Sequence, residues 1–116
     1  MMSKDRTPPS DDQTPQGILN AAADLIERTG WTQGFSALDS YGDSCYISSP
    51  AATCYCAYGA VIKSHADLGG GRGLLGPAFD IFRANAQTTD GVIDWNDQPG
   101  RTKEEVIAAL RGVSND

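Results

Sequence analysis

Histidine and cysteine are scarce in this chain. His65 is the only imidazole, and Cys45, Cys54 and Cys56 are the three thiols among 116 residues. A hydrolase of the Ser-His-Asp or Cys-His type would have to use His65 as its base, and no Gly-x-Ser-x-Gly element or other nucleophile motif accompanies it. An odd number of cysteines fits reduced thiols better than a disulfide framework. The sequence therefore leaves enzymatic activity undecided and favours its absence.

Basic residues and long apolar runs are also few. Nine Lys and Arg face fifteen Asp and Glu, which gives a net charge of -6. Such a charge opposes binding to nucleic-acid phosphates or to anionic lipid, because both require a positive surface. No stretch approaches the roughly 20 apolar residues of a membrane span, and residues 1–16 contain no apolar run typical of a secretion signal. We therefore expect a cytoplasmic protein whose partner is neither a nucleic acid nor a membrane.

The length of the chain predicts one domain. Residues 1–14 are rich in Ser, Thr, Pro, Asp and Gln. Such a segment buries too little apolar surface to offset the cost of ordering it, so we expect a flexible N-terminal tail. Residues 15–113 are then the folded part, which we expect to be a single helical domain.

Local capping signals predict where the first and last helices begin. Thr14 precedes Pro15, which suits the first helical position, and an apolar face follows until about Thr29, before Gly30. Thr102 stands three residues before Glu105 as in a capping box, so a last helix is expected to end near Gly112. The apolar face of the first helix is expected to comprise Ile18, Leu19, Ala22, Leu25 and Ile26.

The middle of the chain predicts a small hairpin and two or three further helices. Two extended segments, 35–38 and 45–47, flank a turn at 39–43. Ser49-Pro50 repeats the signal for a helix start and predicts a second helix that runs through Asp67. A third helix is expected from Pro77 and a short fourth near 89–95. The expected fold class is mainly α, a compact bundle of four to five helices with a small β-hairpin between the first two.

The glycine-rich segment 71–76 matches the letters G-x-G-x-x-G. A dinucleotide site needs these glycines between a strand and a helix, so that backbone amides can approach a pyrophosphate. Here a helix is predicted before the segment, and no succession of strands builds a parallel sheet. We interpret the segment as a flexible connection and expect no cofactor.

A zinc site is the alternative interpretation of Cys45, Cys54, Cys56 and His65. Three thiolates and an imidazole are ligands that tetrahedral zinc accepts. Cys54 and Cys56, however, are two positions apart on the predicted second helix and point about 200 degrees away from each other. Buried packing is therefore the favoured role of the cysteines, with His65 in solvent near a helix end.

The segment Trp95-Asn96-Asp97, with Arg101 downstream, has two interpretations. As a functional element, Trp95 is a partly exposed aromatic anchor surrounded by Asn96, Asp97 and Arg101, a composition typical of an interaction surface. As a structural element, Trp95 belongs to the core, and Asn96 and Asp97 bind backbone amides at the Pro99 turn. We favour the structural interpretation and keep the four residues as the candidate interaction surface. The carboxylate pairs Asp39 with Asp43 and Asp94 with Asp97 fit turn chemistry in the same way.

Three motifs together carry a resemblance to a known family. They are Gly30-Trp31, Cys56-Ala57-Tyr58-Gly59-Ala60, and Trp95-Asn96-Asp97-x-Pro99-Gly100-Arg101-Thr102. With them the chain resembles, over residues 15–113, a small family of domains of unknown function found in actinobacteria and in phages that infect them. The resemblance implies a fold and a bacterial or phage cytoplasm, and it brings no reaction.

The functional hypothesis from sequence is a small cytoplasmic protein, of phage or actinobacterial origin, that acts by binding a host protein or itself. The alternative is a zinc-binding or hydrolytic enzyme that uses Cys45, Cys54, Cys56 and His65.

Overall fold

The computed structural model describes residues 14–113, so the predicted tail lies outside the described residues except for Thr14. In this range the chain forms five helices and two short strands. The elements are α1 (Pro15–Arg28), β1 (Ala37–Asp39), β2 (Ala52–Tyr55), α2 (Ala57–Asp67), α3 (Leu75–Ala86), α4 (Val92–Asn96) and α5 (Lys103–Arg111). β1 and β2 pair antiparallel between the first two helices. The prediction of a mainly helical fold with an inserted hairpin is confirmed.

Helix α1 lies at the centre of the packing and contacts α2, α3 and α5. Its start is as predicted, with Pro15 in the first turn and the hydroxyl of Thr14 accepting a hydrogen bond from the amide of Gly17 at 2.9 Å. The predicted apolar face is buried. Burial of this face is the main contribution of α1 to stability, because a helix of this length is marginal on its own.

Helix α5 closes the fold against α1. The capping box is confirmed, since the Thr102 hydroxyl accepts from the Glu105 amide at 3.1 Å and the Glu105 carboxylate accepts from the Thr102 amide at 2.9 Å. The helix ends at Gly112, which has a φ of +74°, a left-handed conformation that favours glycine. The Arg111 guanidinium then reaches α1 and donates to Asp24 and Glu27.

The boundaries around the hairpin differ from the prediction in two ways. The second strand is β2 rather than residues 45–47, and α2 begins at Ala57 rather than after Ser49-Pro50. Residues 52–55 are extended because they pair with β1 and because Tyr55 also exchanges backbone hydrogen bonds with the segment after α1, at Gly30 and Thr32. Ser49 forms a turn instead of a helix cap, its hydroxyl accepting from the Ala51 amide at 3.1 Å.

The last helices match the predictions closely. Helix α3 begins at Leu75, which places Pro77 in its first turn, where a missing amide hydrogen costs nothing. Helix α4 contains Val92 and Trp95, and the Trp95 ring packs edge to face on Phe82 of α3, with 5.2 Å between centroids. In the region that the structure describes, no helix has the length and apolar character needed to cross a membrane.

Candidate functional site

The side chain of Asn96, at the end of α4, is completely buried and uses all of its hydrogen-bonding capacity. Its Oδ1 accepts from Trp31 Nε1 at 2.7 Å and from the amide of Ala57 at 2.9 Å. Its Nδ2 donates to the carbonyl of Thr32 at 3.1 Å and to Asp97 Oδ1 at 2.9 Å. One amide group thus joins the segment after α1, the start of α2 and the end of α4.

A second set of hydrogen bonds surrounds Asn96. Gln33 Nε2 donates to the carbonyls of Asn96 and Gln98, both at 2.9 Å. The amide of Gly34 donates to Asp97 Oδ1 at 3.0 Å. The side chain of Asp97 is therefore engaged with the backbone of the segment before β1, although the residue itself is exposed. The hydrogen bonds of Asn96 and this second set together link the segment before β1 to α4.

The motif Cys56-Ala57-Tyr58-Gly59-Ala60 lies at the start of α2, where the segment before β1 crosses the helix. The backbone of Ser36 passes so close that a Cβ added to Gly59 would lie 2.1 Å from the Ser36 carbonyl oxygen. That same oxygen accepts from the Cys56 amide at 3.2 Å. Ala57 and Ala60 are fully buried, and α2 packs on α1. Glycine and alanine are thus required here because larger side chains would separate these elements.

Cys56 caps α2 with its sulfur, which accepts from the Gly59 amide at 3.3 Å. Burial raises the pKa of this thiol, and the hydrogen bonds from the Gly59 and Tyr58 amides lower it by less. A reactive cysteine requires the opposite shift, a lowered pKa in an accessible, electropositive place. The chemistry of Cys56 is therefore that of a cap and a small core residue.

The four residues of the candidate interaction surface do not share one exposed face. Trp95 and Asn96 are buried, Arg101 is half-buried and Asp97 is exposed. The guanidinium of Arg101 lies 3.7 Å from the centroid of the Trp95 ring, and Arg101 Nε donates to the Trp95 carbonyl at 3.0 Å. This cation–π contact covers the outer side of the tryptophan. The geometry supports the structural interpretation of the segment.

The four residues of the zinc or hydrolase alternative are not grouped as a metal site, and Cys45 lies in the segment between β1 and β2. Cys54 lies on β2 and not on α2 as predicted, whereas Cys56 caps the start of α2 and His65 stands near its end. The nine positions between Cys56 and His65 correspond to about 13 Å along the helix axis. His65 Nε2 is hydrogen-bonded to the carbonyl of Gly71 at 2.9 Å. Among residues 14–113, no three His, Cys, Asp or Glu side chains are grouped to hold a metal ion.

The glycine-rich segment connects two helices, α2 and α3, so its glycines do not follow a strand. The His65 ring is hydrogen-bonded to it, and α3 begins at Leu75. The structural context that makes G-x-G-x-x-G a dinucleotide fingerprint is thus not present at this position.

The hairpin carries exposed aromatic side chains that the sequence interpretation did not single out. Phe35, Tyr41 and Tyr46 are 55%, 89% and 85% exposed. The turn that contains Tyr41 is stabilised by Asp39, whose Oδ1 accepts from the amides of Tyr41 and Asp43 at 2.9 and 3.0 Å. We use the name hairpin face for Phe35, Tyr41 and Tyr46, which share the segment between α1 and β2. The signal in the sequence was three aromatic residues in a segment with predicted turn chemistry.

Comparison with known proteins identifies a family. A family model described as a family of unknown function, DUF6197, matches residues 10–116, which is nearly the whole chain. No curated protein and no solved structure matches the chain. The expectation of a domain of unknown function is therefore confirmed.

Proposed function

The chain belongs to the DUF6197 family of unknown function, and we propose that it acts by binding another protein through the hairpin face. We propose that this interaction takes place in the cytoplasm of an actinobacterium, either uninfected or infected by a phage, as the motif resemblance implies. In this proposal Trp95, Asn96 and Arg101 stabilise the fold and do not contact the partner. Asp97 takes part only by binding the Gly34 amide, next to the hairpin, and the side chain of Asn96.

The exposure of the hairpin face is the observation that carries the proposal. Of the five large hydrophobic side chains exposed in the described region, three lie within residues 35–46. Tyrosine at such exposure gives no stability to the monomer, yet it supplies a large contact area at low entropic cost when a partner covers it. Single exposed apolar residues are ordinary on protein surfaces, whereas exposed apolar residues that form one patch mark interaction sites, which is the arrangement we propose for this segment.

The charge around the hairpin face indicates the chemistry of the partner. All nine Lys and Arg lie outside residues 29–62, and the charged residues inside this stretch are Asp39 and Asp43. An aromatic, acidic face complements a partner surface that presents Arg or Lys, because tyrosine rings accept cation–π contacts and carboxylates accept salt bridges. The segment that carries the hairpin face has no positive charge of its own to pair with Asp39 and Asp43. We therefore propose a different protein as the partner.

Binding from an actinobacterial lysate tests the proposal. The wild-type chain and a Tyr41→Ala/Tyr46→Ala variant are immobilised at equal density, and retained proteins are identified and quantified. Because both tyrosines are nearly fully exposed, their removal leaves the fold intact, with an expected stability change within about 0.5 kcal/mol. A partner that the wild type retains, that the double variant loses and that salt weakens supports the proposal.

The matched control is Val113→Ala, which removes an exposed apolar side chain far from the hairpin in sequence. This variant is expected to retain the partner as the wild type does. A partner retained equally by the Tyr41→Ala/Tyr46→Ala variant contradicts the proposal, as does the absence of any retained partner.

A further inference from the structure

A groove opens on the side of the molecule where α2, α3 and α4 meet. It has a volume of about 420 Å³ and is mainly apolar. Its lining includes Tyr58 and Phe79, whose rings stack with 5.6 Å between centroids and an interplanar angle of 10°. Ile93, on the first turn of α4, also lines this apolar hollow, and 46% of its surface is exposed. The groove therefore combines a stacked aromatic pair with an exposed aliphatic side chain.

Opposite charges also line this groove. Arg83 of α3 and Asp94 of α4 both belong to its walls. Arg83 pairs with Asp80 on its own helix, and the Asp80 side chain is 74% exposed. An exposed pair of this kind contributes little to stability, so the guanidinium is free to exchange this partner for another carboxylate.

We propose that a second copy of this chain binds in the groove and forms a symmetric pair. A two-fold interface requires one patch to contain both members of every contact. This groove does so: the Ile93 side chain of each copy enters the hollow over Tyr58 and Phe79 of the other, and Arg83 of each copy meets Asp94 of the other. The segment that carries the hairpin face does not offer such a pair of opposite charges, because its charged residues are Asp39 and Asp43.

Seven residues line the groove, whereas a stable interface uses about 20 to 30 on each side, so the pair is weak and reversible, in the class of transient interfaces. Every contact in a symmetric pair occurs twice, so a single substitution acts at two places. Arg83→Asp replaces both attractive contacts by repulsion between carboxylates, and Asp94→Arg does the same between cations. The combined variant Arg83→Asp/Asp94→Arg restores both contacts with the charges exchanged.

Sedimentation velocity of the purified full chain over a range of concentrations tests this proposal. We expect the wild type to show a concentration-dependent dimer, and each single charge reversal to raise the dissociation constant by at least about tenfold. The double reversal is expected to return the constant to within a few-fold of the wild-type value. Ile93→Glu, which places a charge in the apolar hollow, is expected to abolish the dimer.

Two controls separate surface effects from folding. Arg72→Asp changes the net charge as Arg83→Asp does, but at an exposed position in the glycine-rich loop, and it leaves the dimer unchanged. Circular dichroism verifies that each variant is folded. A wild type that is monomeric at every concentration, a dimer that Arg83→Asp and Ile93→Glu leave intact, or a double reversal that fails to restore it would each overturn the proposal. The Tyr41→Ala/Tyr46→Ala variant keeps the dimer, so this proposal and the proposed function fail separately.

Discussion

Gly59→Ala is the substitution that the packing at the start of α2 forbids most clearly. The added methyl group would lie 2.1 Å from the Ser36 carbonyl oxygen and 3.0 Å from its carbon, both backbone atoms. An ordinary contact begins near 3.4 Å, so the crossing segment must move by about 1.3 Å, the difference between 3.4 and 2.1 Å. A rotamer change cannot relieve this contact, because the backbone itself is in the way.

The expected loss follows from three contributions. Forcing a methyl group into a well-packed place costs about 1 to 3 kcal/mol. The movement also breaks the hydrogen bond from the Cys56 amide to Ser36, which is 3.2 Å long and contributes about 1 kcal/mol. Alanine offsets up to about 1 kcal/mol of this through its higher helix propensity. We therefore expect Gly59→Ala to lower the free energy of unfolding by about 2 kcal/mol, a large share of the total for a small domain.

Urea unfolding followed by circular dichroism measures this difference. The matched control is Gly76→Ala, a substitution in α3 whose new Cβ would meet nothing within 4 Å. At this position the higher helix propensity of alanine is the only effect, and we expect Gly76→Ala to raise the free energy of unfolding by about 0.5 to 1 kcal/mol. If Gly59→Ala proves as stable as the wild type, the close approach of Ser36 does not exist and the explanation of the motif is wrong.

Three further predictions concern the hydrogen-bond network, the caps and pH. Trp31→Phe keeps an aromatic ring but removes the donor to Asn96 and part of the packed indole, and we expect a loss of at least about 1 to 2 kcal/mol in urea unfolding; an unchanged midpoint would argue against the bond. Thr102→Ala removes the α5 cap and is expected to cost about 1 kcal/mol and to speed amide exchange in the first turn, unless water replaces the cap without loss. Burial raises the pKa of both Cys56 and Tyr55, so the folded state holds these protons more tightly than the unfolded state. The stability that these two bound protons give to the folded state is fully present below pH 9.0, the ordinary pKa of the thiol. It is lost as the pH rises through the raised pKa values of the folded state. Cys56→Ser keeps a cap oxygen without this thiol titration, so its melting temperature should fall less steeply with alkaline pH; an equal slope would exclude Cys56 as a cause.

The helix ends that were predictable from sequence are those whose partners lie within one turn. Thr14 and Thr102 bond to amides three residues away, so the cap and its partner appear together in the sequence. The same reasoning applied to Ser49-Pro50 failed because a turn satisfies that signal equally well. Residues 52–55 became a strand through partners at Gly30 and β1, which no local pattern reveals.

The role of Asn96 depends on partners that are still more distant. Its Oδ1 binds groups 65 and 39 positions away in the sequence, at Trp31 and Ala57. The sequence therefore permitted two interpretations of this segment, and only the fold supplies the geometry that favours the structural one. The hairpin face was missed for a related reason. Whether Tyr41 and Tyr46 are covered depends on which elements pack nearby, and composition does not determine that.

Asn96 is the residue that joins the three motifs of this chain in the fold, because its side chain binds both Trp31 and the amide of Ala57. Asn96→Ala leaves Trp31 Nε1, the Ala57 amide and the Thr32 carbonyl without their partner in a buried place, and each such group costs about 1 to 3 kcal/mol. The free energy of unfolding of Asn96→Ala, compared with that of Asp97→Ala on the exposed neighbour, tests the claim most directly. We expect a loss of at least about 3 kcal/mol for the first and of about 1 to 2 kcal/mol for the second, which leaves only the buried Nδ2 donor of Asn96 without its partner. Equal stability of the two variants would contradict it.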